Sequence, residues 1–263
     1  MSRIEGLFAR LRAEGRLGLF PFVTVGYPQL QDTAPVALAM LEAGADLVEL
    51  GMPFSDPLAE GRTVQRSTQV ALRNGVTLGL CLETAWTCRQ RTEAPLVLMG
   101  YLNPILRFGI KRFCQGAADA GVDGLIVADL SLEEAGGLAG ECRANGIDLV
   151  LFLAPTSTEE RIRTVARLAS GFIYCVSVTG VTGRREDVST EVDGMLRRIR
   201  AHTDLPLVLG FGISKPEHLL ALHGKADAVA VGSAVIDAID PDRPAASAAD
   251  FVRYLRGGAP VAG

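Results

Sequence analysis

The chain has 263 residues, of which 48% are hydrophobic and 21% are charged, and its formal net charge is −4. This balance is typical of a folded globular protein and excludes an intrinsically disordered or fibrous chain. The small negative charge gives no general attraction for nucleic acid or for an anionic membrane, so a phosphorylated ligand would need a local binding site.

The first residues, Met1–Phe8, predict an amphipathic helix rather than a signal peptide. No apolar run reaches the roughly 20 residues that are needed to span a bilayer. The five cysteines include no Cys-x-x-Cys pair. They are therefore expected to be reduced, mostly buried thiols of a cytoplasmic protein.

Eight short apolar runs predict strands that are buried on both faces, because polar residues do not alternate with apolar ones in them. In chain order they are Phe20–Thr24, Leu47–Leu50, Leu96–Met99, Gly124–Val127, Leu149–Leu153, Phe172–Val176, Leu205–Leu209 and Ala228–Val231. Helical patterns separate these runs, the clearest being Asp32–Ala43, Leu78–Thr92, Ile110–Ala120, Leu132–Asn145, Thr158–Ala169, Val188–His202 and Pro216–His223.

Eight strand–helix units in succession predict an α/β fold of the (βα)8 TIM-barrel type, formed as a single domain by residues 1–263. An open, doubly wound parallel sheet is the alternative. In a barrel, functional residues lie at the carboxyl ends of the strands and in the loops that follow them.

Glycines cluster after the last three predicted strands, at Gly183, Gly212 and Gly232, and Ser233 follows the last of them. Glycine allows main-chain N–H groups to approach phosphate oxygens closely, and a helix N-terminus adds positive partial charge. The pattern predicts a phosphate site, and the alternative is that these glycines only form tight turns. No GxxxxGK[ST] nucleotide-binding loop is present.

Carboxylates follow the second predicted strand. Glu49 ends an apolar run, where a buried acid is costly unless it is partnered or functional, and burial would raise its pKa. Glu60 lies in the following loop and could form a second, more solvated acid, so that the two divide acid and base roles. Asp56 and Asp129 lie in loops after strands as well, and Asp56 could equally be a turn residue. For Glu49 the alternative is a structural acid bonded to the backbone.

Catalysis by histidine or by a lysine Schiff base has less support. His202, His218 and His223 lie in or beside late helices, on the outside of a barrel. No lysine ends a strand, which argues against a Schiff-base aldolase. We therefore predict no metal site and no cofactor.

These residues belong to stretches that resemble the tryptophan synthase alpha subunit family, in order and over nearly the whole chain. The matching stretches are Pro21–Pro28, Gly44–Ala59, Tyr101–Pro104, Gly121–Leu130, Leu153–Thr156, Gly171–Gly183 and Gly210–Ser214. Among them, Pro-Phe-Ser-Asp-Pro and Ser-Val-Thr-Gly-Val-Thr-Gly are specific to that family. The resemblance implies a (βα)8 barrel with an additional N-terminal helix.

The resemblance also implies a reaction, the retro-aldol cleavage of indole-3-glycerol phosphate to indole and glyceraldehyde 3-phosphate, and a beta subunit as partner in an alpha2-beta2 assembly. Glu49 matches the catalytic glutamate, and Glu60 stands at the position of the second acid. The further matching positions are Phe22, Tyr101, Asp129, Tyr174 and Thr182 for substrate, Gly183, Gly212, Gly232 and Ser233 for phosphate, and Pro53, Asp56, Asn103 and Pro104 for the partner.

The chain departs from the family pattern at three of these places. It has Glu60-Gly61-Arg62 where Asp-Gly-Pro is usual, and Ser131 where proline is usual. These changes leave two alternatives to the alpha-subunit hypothesis: a stand-alone lyase or related phosphate retro-aldolase of secondary metabolism, and a mainly activating partner of a beta subunit. Glu49 counts against the latter, because an activator has no need of an acid at a strand end.

Overall fold

The structure is a computed structural model that describes residues 1–176, 185–210 and 212–258. Its strands are β1 (Gly18–Thr24), β2 (Val48–Gly51), β3 (Leu96–Gly100), β4 (Gly124–Val127), β5 (Asp148–Leu153), β6 (Ile173–Val176), β7 (Leu207–Gly210) and β8 (Ala228–Val231). Its helices are α1 (Arg3–Ala13), α2 (Thr33–Glu42), α3 (Arg62–Arg73), α4 (Leu78–Arg89), α5 (Leu102–Phe108), α6 (Ile110–Asp119), α7 (Leu132–Ala144), α8 (Glu159–Leu168), α9 (Arg185–Arg200), α10 (Pro216–Leu222), α11 (Ser233–Ala238) and α12 (Pro244–Leu255).

The eight strands form a closed barrel in chain order, and every neighbouring pair is parallel. Closure is made by β1 and β8, in which Leu19 is the register partner of Val229. An open sheet has no such pairing, so the TIM-barrel prediction is confirmed and the doubly wound alternative is wrong.

Alternate residues of the strands fill the barrel, as the period of two in a strand requires. One buried cluster joins inward-facing residues such as Leu47 and Val97 to the apolar face of α1. The rings of Phe8, Phe20 and Phe172 meet there, with centroids 5.8 to 6.0 Å apart. Because α1 packs on this cluster, it closes the end of the barrel opposite the carboxyl ends of the strands.

Local sequence explains where several helices begin. Ser2 and Glu5 form a capping box at the start of α1, which satisfies main-chain N–H groups that the helix itself leaves unpaired. Thr158 caps α8 by accepting from the N–H of Arg161 at 3.2 Å. The amphipathic first helix is confirmed.

Four helices were not among those predicted from the sequence, namely α3, α5, α11 and α12. In α3 the buried face carries Ser67 and Thr68 beside Val64 and Ala71, so few apolar residues mark that face in the sequence although the helix is amphipathic. The strand bounds also differ. The strand expected over Leu205–Leu209 begins only at Leu207, because Pro206 has no N–H to donate to the sheet.

All five cysteines are buried and none forms a disulfide, as the sequence predicted. No helix in the described ranges combines the length and the apolar character needed to cross a membrane.

Candidate active site

A cavity of about 700 Å³ opens at the carboxyl ends of the barrel strands. Its apolar side is formed mainly by residues of β1 and β3 to β6, namely Phe22, Met99, Ala128, Phe152, Tyr174 and Val176. Its other side follows β7 and β8 and, apart from Ile213, is lined mainly by small residues, namely Gly210, Gly212, Ser214, Ala230, Gly232, Ser233 and Ala234. Glu49, Glu60 and Asp237 are the carboxylates that the described lining contributes.

Glu49 lies in β2 and is only 1% exposed. Its register partners on the two neighbouring strands are Phe22 and Val97, both apolar. Within the described part of the chain, its buried Oε1 atom has no hydrogen-bond partner. Burial raises the pKa of Glu49 to about 8, because the charged form loses its hydration and gains no compensating partner. The side chain is therefore protonated in most molecules at neutral pH.

Glu60 lies in the segment between β2 and α3, and it lines the same cavity. Burial raises the pKa of its carboxyl group to about 7. Its Oε2 atom is also buried and has no hydrogen-bond partner among the described residues. Glu49 and Glu60 thus form a pair of carboxyl groups in the cavity, of which the deeper one holds its proton more strongly, as an acid pair with divided roles requires.

Main-chain contacts fix the position of Glu60. Its carbonyl oxygen accepts from Nε2 of Gln65 at 2.8 Å, and its N–H donates to the carbonyl of Pro57 at 3.2 Å. The preceding residue, Ala59, donates its N–H to the hydroxyl of Tyr101 at 3.1 Å. Arg62 is the first residue of α3, so the loop that contains Glu60 ends directly in a helix.

An aromatic wall stands beside Glu49. Tyr174 and Phe152 are register partners on β6 and β5, and their ring centroids are 5.0 Å apart. Burial, with the nearby Glu49 as the second cause, raises the pKa of Tyr174, so its hydroxyl stays protonated. Phe152 and Met99 were not among the predicted site residues. Counting in steps of two from the inward-facing Val150 would have placed Phe152 at the barrel mouth.

The predicted phosphate-binding residues Gly212, Gly232 and Ser233 all line the cavity. Gly212 has a φ of +42°, a left-handed conformation that glycine adopts without strain. Gly232 immediately precedes α11. The predicted residues Thr182 and Gly183 lie outside the described residues.

Two predicted substrate-binding residues lie behind the described cavity lining rather than in it. The hydroxyl of Tyr101 holds Ala59, as described above. Asp129 accepts from the N–H of Leu102 at 2.7 Å, which places its carboxylate at the first turn of α5. Both side chains support the loops around the cavity, and direct contact of either with substrate remains a prediction.

Three of the four predicted partner-contact residues, Pro53, Asn103 and Pro104, line a second groove of about 520 Å³ with Phe54 and Phe108 among its walls. Asp56 is exposed, and its carboxylate accepts from the hydroxyl of Ser55 at 2.5 Å. The groove lies at the carboxyl ends of β2 and β3, beside the cavity.

Ser131 stands where the family pattern usually has proline. Its hydroxyl accepts from the N–H of Glu134 at 3.3 Å and donates to the carboxylate of the same residue at 2.8 Å. Ser131 therefore caps α7. Where the family usually has a conformationally restricted proline, this chain has a serine that is held by hydrogen bonds.

The family pattern for the tryptophan synthase alpha chain matches residues 8–256. A tryptophan synthase alpha chain of Roseiflexus castenholzii is 50% identical over 261 residues, which cover 98% of this chain and all of the relative. The chain belongs to the tryptophan synthase alpha chain family. The alpha chain of Solibacter usitatus is 45% identical over 262 residues, covering 98% of both proteins.

Solved structures agree with this membership. Tryptophan synthase subunit alpha from Legionella pneumophila strain Paris matches with a TM-score of 0.90 and 33% identity over 98% of both chains. A chain of M. tuberculosis tryptophan synthase in its aminoacrylate-bound form matches with a TM-score of 0.88 and 29% identity, covering 97% of this chain and 98% of that one. Alpha chains of the family cleave indole-3-glycerol phosphate in tryptophan biosynthesis, and this chain is an enzyme of that lyase class.

Proposed function

We propose that Glu49 and Glu60 carry out the family's reaction in this chain, the retro-aldol cleavage of indole-3-glycerol phosphate to indole and glyceraldehyde 3-phosphate. The observation that carries the proposal is the carboxyl group of Glu49, which is buried at the cavity and has its pKa raised to about 8. A group with that pKa holds a proton at neutral pH and can still release it to a substrate.

The cleaved bond joins C3 of the indole ring to the neighbouring carbon of the glycerol phosphate chain. C3 gains a proton, the hydroxyl on that carbon loses its proton to become the aldehyde, and the electron pair of the broken bond ends in the ring. Protonated Glu49 supplies the proton to C3, and the resulting carboxylate accepts the hydroxyl proton. Both protons are thereby accounted for, and the residue returns to its starting state.

Glu60 has the complementary role. Its pKa of about 7 leaves a large share of the carboxyl group ionised at neutral pH. As C3 is protonated, positive charge develops on the ring and the indole N–H becomes a stronger donor. A carboxylate that accepts this hydrogen bond inside a cavity stabilises the developing charge.

The two sides of the cavity support one orientation of the substrate. The apolar side, which includes Phe22, Phe152 and Tyr174, suits the indole ring. The side formed by Gly212, Gly232 and Ser233 allows main-chain N–H groups to reach the phosphate. The resemblance assigns Thr182 to substrate binding and Gly183 to phosphate binding, and we include both residues in the proposed site.

We further propose that the chain is a single domain that works in the cytoplasm with a beta subunit. The groove formed by Pro53, Asn103 and Pro104 is the surface that the resemblance implies for this partner. The similar M. tuberculosis chain comes from a structure of tryptophan synthase, which supports an assembly of this kind.

The test is a single-turnover assay in which excess purified protein is mixed with indole-3-glycerol phosphate, with and without the cognate beta subunit. We expect release of indole and of glyceraldehyde 3-phosphate in equal amounts. Glu49→Gln should reduce the rate by about 10²–10⁴-fold, since it removes a proton-transfer group. If no indole appears under either condition, or if the Gln variant keeps the wild-type rate, the proposed function is wrong.

A further inference from the structure

A carboxylate with no predicted role connects the two halves of the cavity. Asp237 lies in α11 and lines the cavity. Its Oδ1 atom is 2.7 Å from Nη2 of Arg66, and its Oδ2 atom accepts from the hydroxyl of Thr63 at 3.2 Å. Both partners belong to the beginning of α3. The carboxylate of Asp237 therefore connects α11, which begins at Ser233, to α3, which begins two residues after Glu60.

The beginning of α3 in turn holds the main chain of Glu60. Gln65 donates from Nε2 to the carbonyl of Glu60 at 2.8 Å, and its main-chain N–H donates to the carbonyl of Gly61 at 3.0 Å. A displacement of this turn would therefore displace Glu60. On the other side, α11 begins at Ser233, one residue after Gly232.

The remainder of α3 has its own attachments. The hydroxyls of Ser67 and Thr24 are 2.6 Å apart in the core, and Asn74, the residue after α3, donates to the carbonyls of Gly26 and Pro28. These contacts fix the middle and the end of the helix to β1 and its loop. Among the described hydrogen bonds and ion pairs, the bridge to Asp237 is the one that joins the first turns of α3 to α11.

The bridge contributes little to stability. The side chains of Arg66 and Asp237 are 59% and 52% exposed, and exposed ion pairs of this kind are typically worth between about 0 and 1 kcal/mol. The effect of the bridge on the reaction rate can be larger than its effect on stability, since a misplacement of roughly 1 Å at a reacting group can reduce the rate about 100-fold. A contact that is weak in energy can therefore still matter for the rate.

We propose that Asp237, held by Thr63 and Arg66, is a positioning residue that fixes Glu60 relative to the phosphate-binding side of the cavity. The inference rests on the proposed function, because it assumes that Glu60 acts on the ring while Gly232 and Ser233 hold the phosphate. Asp237 itself takes part in no proton transfer.

The test compares Asp237→Ala with Asp250→Ala. Asp250 on α12 forms exposed ion pairs with Arg253 of the same helix and with Arg243, the residue before the helix. Its truncation is therefore a matched control for the loss of a surface ion pair outside the cavity. Indole release is measured for both variants over a range of pH, and the midpoint of thermal unfolding is measured in parallel.

For Asp237→Ala we expect kcat to fall by about 10-fold while KM changes by less than about threefold, because the groups that bind phosphate stay in place. The acidic limb of the kcat/KM profile should move to lower pH by about half a unit, since a displaced Glu60 is better hydrated and its pKa returns toward the ordinary value. Arg66→Ala should change the same parameters in the same direction, and Asp250→Ala should change neither.

Asp237→Asn separates position from charge. If its only effect is a lower KM, Asp237 acts by repelling the phosphate and the inference is wrong. The inference also fails if Asp237→Ala and Asp250→Ala behave alike while the wild type is active, a result that leaves the proposed function intact. An inactive wild type would overturn the proposed function and this inference with it.

Discussion

Glu49 on β2 is the register partner of Phe22 on β1. With Val97 as the partner on its other side, the only acid of this strand is placed between two apolar residues and loses its hydration. Burial therefore raises the pKa of Glu49 to about 8, whereas the less deeply buried Glu60 reaches about 7. The order of these two pKa values leads to predictions about pH.

The kcat/KM profile should be bell-shaped, with its maximum between about pH 7 and pH 8. Below this range Glu60 is protonated and lacks the negative charge that stabilises the protonated ring, and above it Glu49 has lost the proton that C3 requires. Indole release measured across pH 5.5 to about 9.5 checks this. In Glu60→Gln the acidic limb should disappear, and its persistence would show that another group causes it.

Glu49→Gln should stabilise the protein as the pH rises. Between about pH 4.5 and pH 8 the unfolded chain has released the proton of Glu49 while the folded protein keeps it. The folded state binds more protons there, so the wild-type free energy of unfolding falls as the pH rises through this window. The variant lacks this loss. Its advantage in urea unfolding should be nearly absent at pH 4.5 and reach on the order of 4 kcal/mol at pH 8, since each pH unit between the unfolded and folded pKa values contributes about 1.4 kcal/mol.

An equal difference between Glu49→Gln and wild type at both pH values would contradict this assignment. Glu60→Gln provides a comparison, because the smaller rise in the pKa of Glu60 predicts a smaller pH-dependent gain.

Glu60→Asp should lower kcat by about 10- to 100-fold, although it restores the residue that is usual in the family. The main chain at this position is fixed by Gln65 and Pro57, so a side chain shortened by one methylene group cannot move closer to the ring. Steady-state indole release at saturating substrate gives the value. A strong gain in rate would instead show that Glu60 is a handicap for this substrate.

Gly210→Ala should destabilise the barrel and reduce activity. A Cβ atom at Gly210 would lie 2.4 Å from Cε1 of Tyr174, and the ring is packed against Phe152 on its other side. Overpacking of this kind typically costs about 1–3 kcal/mol, which urea unfolding would measure. Gly137→Ala in α7 is the control, because its Cβ would meet nothing within 4 Å in the described structure. It should raise stability by about 0.5–1 kcal/mol, and equal behaviour of the two variants would contradict the packing argument.

The structural role of Gly210 could not be inferred from the sequence. It belongs to the Gly210–Ser214 stretch that resembles the family's phosphate loop, yet its own lack of a side chain makes room for the ring of Tyr174. Gly212, two residues later, has the positive φ that a turn requires. The sequence shows two similar glycines. That one makes room for a ring and the other forms a turn becomes visible only when the neighbouring strand is in place.

The support of Glu60 could not be predicted either. Tyr101 and Ala59 are 42 residues apart in the chain, and Thr63 and Asp237 are 174 apart. Neither pair follows a helical or strand period, because each contact depends on how the barrel brings separate loops to one edge.

The sequence by itself determined the eight strands, their parallel order and the presence of Glu49 in the second strand, because burial on both faces leaves an apolar pattern that an acid visibly interrupts; β2 continues past Glu49 to Gly51. Together with the family resemblance, it also indicated the acid pair and the glycine-rich side of the cavity. Only the tertiary structure decided how strongly each acid holds its proton, because desolvation depends on all the groups around a carboxyl and not on its neighbours in the chain. The structure alone also revealed the bridge from Asp237 to Thr63 and Arg66, because these contacts join residues that are far apart in the chain.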